Sequence, residues 1–157
     1  MIKLKYANYG VVFQEIPNEI TLAINITNCP YKCTGCHSDY LWKDIGNYVD
    51  DNIDKLLNKY DGMITCVCFM GGDQGMEDLI TLLKMIQGKG IKTGLYTGAD
   101  DIQQVSSAIP YLNYIKIGSY KKNIGGLNCK NTNQIFYENN NGNLVDKTYL
   151  FQQKHKI

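Results

Sequence analysis

The sequence predicts an α/β fold in which mostly parallel strands build a partial, truncated barrel, preceded by an N-terminal strand or hairpin. Apolar segments of strand length alternate with segments of helical periodicity, and strands that are joined through helices pair in parallel. The chain has 157 residues, whereas a complete eight-stranded barrel needs roughly 250. We therefore expect a single domain over residues 1–157 and a barrel that is left open on one side.

Four strands are predicted from short apolar segments that end at glycine or polar residues. The segment at 64–70 is apolar on both faces apart from Thr65, which is typical of a strand covered on both sides in a parallel sheet. A shorter strand is expected at 11–13, ahead of a turn at Pro17-Asn18. The four main strands are 21–27, 64–70, 91–97 and 113–118.

Two helices are predicted from apolar residues that recur on one helical face. The first has its apolar face over residues 53–60, and Asp50 or Asp51 can cap its N-terminus. The second has its apolar face over residues 76–86 and ends at Gly88. These helices supply the crossovers that parallel strands require.

The second half of the chain gives weaker signals. A short helix at 102–109 is expected to be capped by Asp100-Asp101 and to end before Pro110. The tail from Lys121 onward is polar, and the asparagine-rich run at 139–143 predicts a hairpin turn or a loose loop.

Charge and hydropathy exclude several function classes. The formal net charge is +1, so we expect neither nucleic-acid nor membrane-surface binding. All 16 basic residues are lysines, so any contact with a carboxylate or phosphate depends on lysine or backbone amides. No apolar run approaches the ~20 residues of a membrane span, and the N-terminus lacks the apolar core of a signal peptide. We therefore expect a cytoplasmic protein whose thiols stay reduced.

Three of the six cysteines lie close together on the chain, directly after the first main strand. Cys29, Cys33 and Cys36 have the spacing C-x3-C-x2-C, and in a reducing compartment such a cluster favours a metal site over disulfides. One interpretation is a structural zinc site with His37 or a distant cysteine as the fourth ligand. The other is a 4Fe–4S cluster with three thiolate ligands and one open iron, which the amine and carboxylate of S-adenosylmethionine can chelate.

The carboxyl ends of all four main strands carry unusual residues. In a parallel sheet these ends meet at one edge, which is where ligand sites form. We therefore expect the four strand ends to build one shared site. The segments concerned are the cysteine loop, Gly71-Gly72-Asp73, Tyr96-Thr97-Gly98 and 116–118.

The cysteine spacing after a first strand resembles the signature of the radical S-adenosylmethionine superfamily. Gly71-Gly72-Asp73 resembles the glycine motif of that superfamily, which is usually Gly-Gly-Glu and is often followed by proline where this chain has Gln74. The resemblance implies a truncated TIM-like barrel that holds a 4Fe–4S cluster and S-adenosyl-L-methionine. The implied cluster ligands are Cys29, Cys33 and Cys36; the implied cofactor-binding residues are Gly35, Cys36, His37, Gly71, Gly72 and Asp73.

Later segments narrow the resemblance to one family. These segments are 94–98, 114–120, Gly125-Gly126-Leu127 and Asn133-Gln134 with Tyr137. Their order resembles the activating proteins of anaerobic ribonucleoside-triphosphate reductase. That resemblance implies a 5′-deoxyadenosyl radical, formed by reductive cleavage of the cofactor, that takes hydrogen from a glycine of the large reductase subunit. It also implies a low-potential electron donor such as flavodoxin or ferredoxin.

Other candidate residues have a structural interpretation beside the functional one. Cys66 and Cys68 point to one side of their strand and are expected to be core thiols, while Cys129 is expected at the surface. Lys116 or Lys32 can meet an anion such as the cofactor carboxylate, or either is a solvated lysine.

Two alternatives to the reductase activator remain at this point. The first is another small radical S-adenosylmethionine enzyme, similar to the activase of pyruvate formate-lyase or to deazaguanine synthase. The second is a zinc or iron–sulfur binding module without catalysis. The metal content of the purified protein separates the second alternative from an enzyme.

Overall fold

The structure is a computed structural model that describes residues 2–29, 39–121 and 123–152. It contains eight strands, two α-helices and several short 3-10 segments. The strands are β1 (Lys5–Val12), β2 (Thr21–Ile26), β3 (Asn47–Tyr48), β4 (Cys66–Met70), β5 (Lys92–Tyr96), β6 (Tyr114–Ile117), β7 (Ile135–Asn140) and β8 (Asn143–Asp146). The helices are α1 (Val49–Lys59) and α2 (Met76–Gly88), and the 3-10 segments are Asp39–Trp42, Asp73–Gly75, Ile102–Tyr111 and Thr148–Phe151.

All eight strands belong to one open sheet with the order β3-β1-β2-β4-β5-β6-β7-β8. Its centre consists of β2, β4, β5 and β6, which pair in parallel. These are the four main strands predicted from sequence, and their bounds are confirmed to within two residues. The crossovers between them run through α1, α2 and the 3-10 segment Ile102–Tyr111, because parallel neighbours cannot be joined by a tight turn.

The expectation of a mostly parallel sheet is wrong for the sheet as a whole. Of the seven neighbouring pairs in the described part of the chain, four are antiparallel and three are parallel. The antiparallel pairs lie at the two flanks of the sheet, because β1–β2, β6–β7 and β7–β8 are each joined without a crossover helix and β3 adds to the outer edge of β1. The last two strands, β7 and β8, are joined by Asn141-Gly142, whose positive φ angles of 54° and 93° fit a two-residue hairpin turn.

Both faces of the central strands are covered. Alternate residues of β4 face opposite sides of the sheet: Val67 and Phe69 join the main core that includes apolar residues of α1 and α2. Cys66 and Cys68 belong to a second, smaller core with Phe136. The prediction that these two cysteines are core thiols is confirmed, since both are fully buried.

A loop between β1 and β2 packs under the inner face of the sheet. Ile16 in this loop is fully buried and belongs to the second core. A Cβ atom on Gly94 would lie 2.9 Å from Ile16 Cδ1, so the absence of a side chain at Gly94 lets the loop pack this closely. The hydroxyl of Tyr96 donates a hydrogen bond to the carbonyl oxygen of Glu15 and anchors the loop to β5.

The helix ends differ in part from the expectations. Tyr48 is the N-cap of α1, and Asp50 and Asp51 lie in its first turn, where negative charge is favourable for the helix dipole. Asp101 caps the 3-10 segment through a capping box, as expected. Pro110 lies inside this segment instead of after it, and Val105 interrupts the segment with non-helical backbone angles (φ −118°, ψ 16°).

The helices in the described part of the chain lack the length and apolar character that a membrane span requires.

Candidate functional site

The carboxyl ends of β2, β4, β5 and β6 surround one cavity of about 260 Å³. It is lined by residues from each strand end and from the segments that follow them. Several of these lining residues were predicted from sequence to belong to one site, and the fold brings them together from distant parts of the chain. They are Cys29, Gly71, Gly72, Asp73, Thr97 and Lys116.

The cysteine loop begins at the wall of this cavity. The backbone N–H of Cys29 donates to the carbonyl oxygen of Leu41 (2.9 Å), and the backbone N–H of Asn28 donates to the carbonyl oxygen of Lys43 (2.9 Å). These two hydrogen bonds close the base of the loop, because they tie its first residues to residues that follow it. We call residues 27–29 and 41–43 the loop stem.

Several predicted site residues lie in the loop beyond this stem. Cys33, Gly35, Cys36 and His37 fall outside the described residues, as does Lys32. Among residues 2–29, 39–121 and 123–152, no three histidine, cysteine or acidic side chains cluster as a metal site. Two of the three predicted cluster ligands are outside those ranges, so the ligand set stays a prediction.

The glycine segment continues β4 into the cavity wall. Gly71 and Gly72 have φ angles of 100° and 128°, a region that only glycine adopts readily. A Cβ atom on Gly72 would lie 3.4 Å from a methyl group of Leu4 and 3.5 Å from one of Leu79. These glycines are therefore needed for the turn itself, and the Cβ direction of Gly72 faces the core.

Asp73 is held by the end of the neighbouring strand. The hydroxyl of Thr97 donates a hydrogen bond to Asp73 Oδ2 and accepts one from the backbone N–H of Ala99 (3.0 Å). Thr97 is almost fully buried, so this arrangement is fixed by its surroundings. Thr97 therefore lines the cavity and fixes the start of the loop that follows β5, whereas the next 3-10 segment is capped by Asp101 and not by Thr97.

Lys116 brings a positive charge to the same cavity. Its side-chain ammonium donates to the carbonyl oxygens of Thr97 (3.1 Å) and Gly118 (3.2 Å) and lies 5.5 Å from the centre of the Tyr96 ring. The residue is only 8% exposed, so the interpretation as a solvated lysine is wrong. Burial of a charge is costly unless it is compensated, and the two carbonyl dipoles and the ring face compensate it here.

Two glutamines at this cavity were not assigned a role from sequence. Gln134 is 8% exposed and its side-chain amide donates to the carbonyl oxygen of Gly118 (3.3 Å). Gln74 donates from its side-chain amide to the carbonyl oxygen of Thr27 (2.7 Å) in the loop stem. From the sequence, Gln74 is only a departure from the glycine motif, because the direction of a side chain after a strand end depends on tertiary packing.

The remaining described cysteines differ from Cys29. Burial, and then repulsion by Glu19, raises the pKa of the Cys66 thiol to about 12, and burial raises the pKa of Cys68 well above its usual value. Both are therefore neutral thiols at pH 7. Cys129 is half-buried, and of the four described cysteines only Cys29 lines the cavity.

Comparisons with protein-family models, with curated proteins and with solved structures gave no match to this chain. Family membership is therefore a proposal, carried by the motif residues and by the cavity that part of them share.

Proposed function

We propose that the protein is a radical S-adenosylmethionine enzyme that activates anaerobic ribonucleoside-triphosphate reductase by generating a glycyl radical on it. The observation that carries this proposal is that Cys29 and the Gly71-Gly72-Asp73 segment line one cavity at the carboxyl ends of parallel strands. Cys29 and Gly71 are 42 positions apart on the chain. A cofactor that bridges a cluster and the glycine segment requires this proximity.

The cysteine loop fits a 4Fe–4S cluster with an open iron. Cys29, Cys33 and Cys36 would hold three irons, since three thiolates on one short loop can converge on a single cluster. The closed loop stem supports this assignment because it fixes the first ligand relative to the sheet. When bound together, the cluster and the cofactor supply a carbon-centred radical that abstracts hydrogen from a glycine Cα.

The described cavity fits the amino-acid end of S-adenosylmethionine. Asp73 and Lys116 place a carboxylate and an ammonium group on the same cavity, which matches a ligand group that carries one positive and one negative charge. Asp73 would bind the amine and Lys116 the carboxylate, each through a charge-assisted hydrogen bond. Thr97 holds both residues, since its hydroxyl contacts Asp73 and its carbonyl oxygen contacts Lys116.

The sheet also fits a protein substrate. The four parallel strands would form the central part of a truncated TIM-like barrel, and in the described part of the chain the sheet is not closed, which would admit a peptide segment of the reductase. The whole chain, residues 1–157, acts as one domain in the cytoplasm, where its thiols stay reduced. A low-potential donor such as flavodoxin or ferredoxin supplies the electron.

The decisive experiment is anaerobic reconstitution followed by activation of the reductase. We expect about four irons and four sulfides per chain, cleavage of S-adenosylmethionine to methionine and 5′-deoxyadenosine, and a glycyl radical doublet in the reductase by electron paramagnetic resonance. Cys29→Ala abolishes the cluster, whereas Cys66→Ala and Cys129→Ala are matched controls that keep it.

Each other outcome selects a different function. One zinc per chain and no cofactor cleavage would replace the enzyme by a structural metal module. Activation of pyruvate formate-lyase in place of the reductase would move the chain to another activase. Cofactor cleavage without either radical would point to a small-molecule substrate.

A further inference from the structure

The 3-10 turn Asp73–Gly75 connects the cavity to the cysteine loop through two adjacent side chains. Asp73 contacts Thr97 at the end of β5. Gln74 reaches the opposite way and donates its side-chain amide to the carbonyl oxygen of Thr27, 2.7 Å away and two residues before Cys29. The turn therefore spans the space between the ends of β2 and β5.

The residue that Gln74 contacts is itself rigidly held. Thr27 is 1% exposed. Its backbone N–H donates to the carbonyl oxygen of Lys5 (2.9 Å), and its hydroxyl donates to the carbonyl oxygen of Ile45 (2.6 Å). The next two residues of the loop stem, Asn28 and Cys29, are paired as described above. The position of the Thr27 carbonyl relative to Cys29 is therefore held by these hydrogen bonds.

The direction of the Gln74 amide is also determined. Its Nε2 faces a carbonyl oxygen, which can only accept. Its Oε1 is buried and accepts no hydrogen bond from the described residues, so a reversed amide would lose the bond to Thr27. A proline at this position, as in the related motif, would have no side-chain donor, so the contact belongs to this chain and not to the motif.

We propose that Gln74 is a positioning residue that sets the separation between the loop stem, which carries Cys29, and the Asp73 side of the cavity. This inference rests on the proposed function, because only a ligand that bridges the two parts makes their separation matter. A reacting geometry that is displaced by about 1 Å can cost roughly 100-fold in rate. The hydrogen bond from Gln74 to the loop stem holds that separation in the described part of the chain.

The test compares Gln74→Met and Gln74→Glu with Gln103→Met. Methionine keeps the size of the side chain without its donor, and glutamate keeps the size and polarity but sets a carboxylate against the Thr27 carbonyl. Gln103 is exposed in the 3-10 segment Ile102–Tyr111 and controls for the general effect of replacing a glutamine. Glutamate is measured beside methionine so that the comparison survives if one variant does not fold.

The first readout is amide hydrogen exchange in the full-length chain without cofactor. Both Gln74 variants are expected to exchange the Asn28 and Cys29 amides about tenfold faster than the wild type, as loss of one hydrogen bond allows. Gln103→Met leaves these rates unchanged. Unchanged exchange in both Gln74 variants overturns the proposal, whatever the protein's function is.

The second readout uses the reconstituted protein. Iron and sulfide per chain stay at the wild-type level in Gln74→Met, while the dissociation constant for S-adenosylmethionine rises about tenfold. The change that the cofactor causes in the paramagnetic resonance spectrum of the reduced cluster becomes smaller. A wild-type affinity and an unaltered spectral change in Gln74→Met overturn the positioning role alone, whereas a wild-type protein that binds no cofactor overturns the proposed function and this inference with it.

Discussion

The two ends of the parallel strands differ in what their charged side chains contact. At the carboxyl ends, Asp73 and Lys116 line a cavity large enough for part of a ligand. At the amino ends, Glu19 is 7% exposed and accepts hydrogen bonds from Thr65 (2.7 Å), Lys92 (3.0 Å) and Tyr114. Each of these three donors lies immediately before or at the start of a central strand.

The difference separates stability from binding within one set of strands. A buried carboxylate with three protein donors is compensated by the fold itself and contributes to stability. A charge beside a cavity keeps its field available for a ligand. We therefore expect changes at the amino ends to alter the free energy of unfolding, and changes at the carboxyl ends to alter ligand binding, except where the backbone itself is constrained.

The largest effect on stability is expected for Gly118→Ala, which tests that exception. Gly118 has a φ of 105°, and a Cβ atom there would lie 2.9 Å from Gln134 Cα and 3.0 Å from the Asn133 carbonyl oxygen. Backbone strain and this clash together should lower the free energy of unfolding by about 3 kcal/mol or more in chemical denaturation. Gly142→Ala is the matched control, since its φ is 93° with nothing within 4 Å, and should cost only about 1 kcal/mol. Equal losses in the two variants would contradict the clash.

Glu19→Ala should lower the free energy of unfolding by about 2–3 kcal/mol. It leaves the buried hydroxyl of Tyr114 without its acceptor, and loss of a charged acceptor is costly. Cofactor affinity, measured where the variant is folded, should stay at the wild-type level because Glu19 lies at the opposite strand ends. Asp61→Ala, at an exposed site, should change stability by less than about 0.5 kcal/mol. A loss of cofactor affinity in Glu19→Ala would show that the two ends are coupled.

Lowering the pH should reduce the contribution of Glu19 to the free energy of unfolding. Burial opposes ionisation of Glu19, but the hydrogen bonds from Tyr114, Thr65 and Lys92 outweigh it and lower its pKa. A carboxyl group with a lowered pKa stabilises the fold above its unfolded pKa of about 4.3, and this contribution is lost as the pH falls through the folded pKa. The stability difference between wild type and Glu19→Gln should therefore be constant near pH 7 and shrink below about pH 4. A difference that grows in acid would mean that Glu19 is protonated in the folded protein.

The smallest effect is expected for Lys92→Met. The Lys92 side chain is 54% exposed, and exposed ion pairs contribute less than about 1 kcal/mol. Tyr114→Phe removes the buried donor to the same carboxylate and should cost about 1.5 kcal/mol or more. If Lys92→Met costs more than Tyr114→Phe in the same denaturation experiment, the ion pair, and not the buried hydroxyl, dominates the amino-end network.

The central sheet was predictable because local pattern decides it. The apolar segment at 64–70 and its glycine-rich end need little information from elsewhere in the chain. The strands β7 and β8 were missed because only the first half of β7, residues 135–137, is apolar and most of the remaining hairpin is polar, so that the Asn141-Gly142 turn gave the main signal. The missed hairpin accounts for two of the four antiparallel pairs, and the pairing of β1 with β2 and β3 accounts for the other two.

The sequence predicts which strand ends share the site, but not how individual side chains are buried or paired there. Placing the residues after β4 and β5 at one edge follows from parallel pairing. The burial of Lys116 and the reach of Gln74 to Thr27 do not, because both depend on how segments distant in sequence pack. Glu19 gave no sequence signal at all, since a single acidic residue before a strand is ordinary at a surface.

The contact between Ile16 and Gly94 has a consequence for how this architecture can vary. An open sheet has no closing row of hydrogen bonds to fix its curvature, and here a loop side chain packs against the inner face of β5 instead. The same strand ends at Tyr96, which holds this loop through its hydroxyl and contacts Lys116 with its ring. A substitution at position 16 would therefore act on the cavity from behind, through β5 and Tyr96, without replacing a residue of the cavity wall.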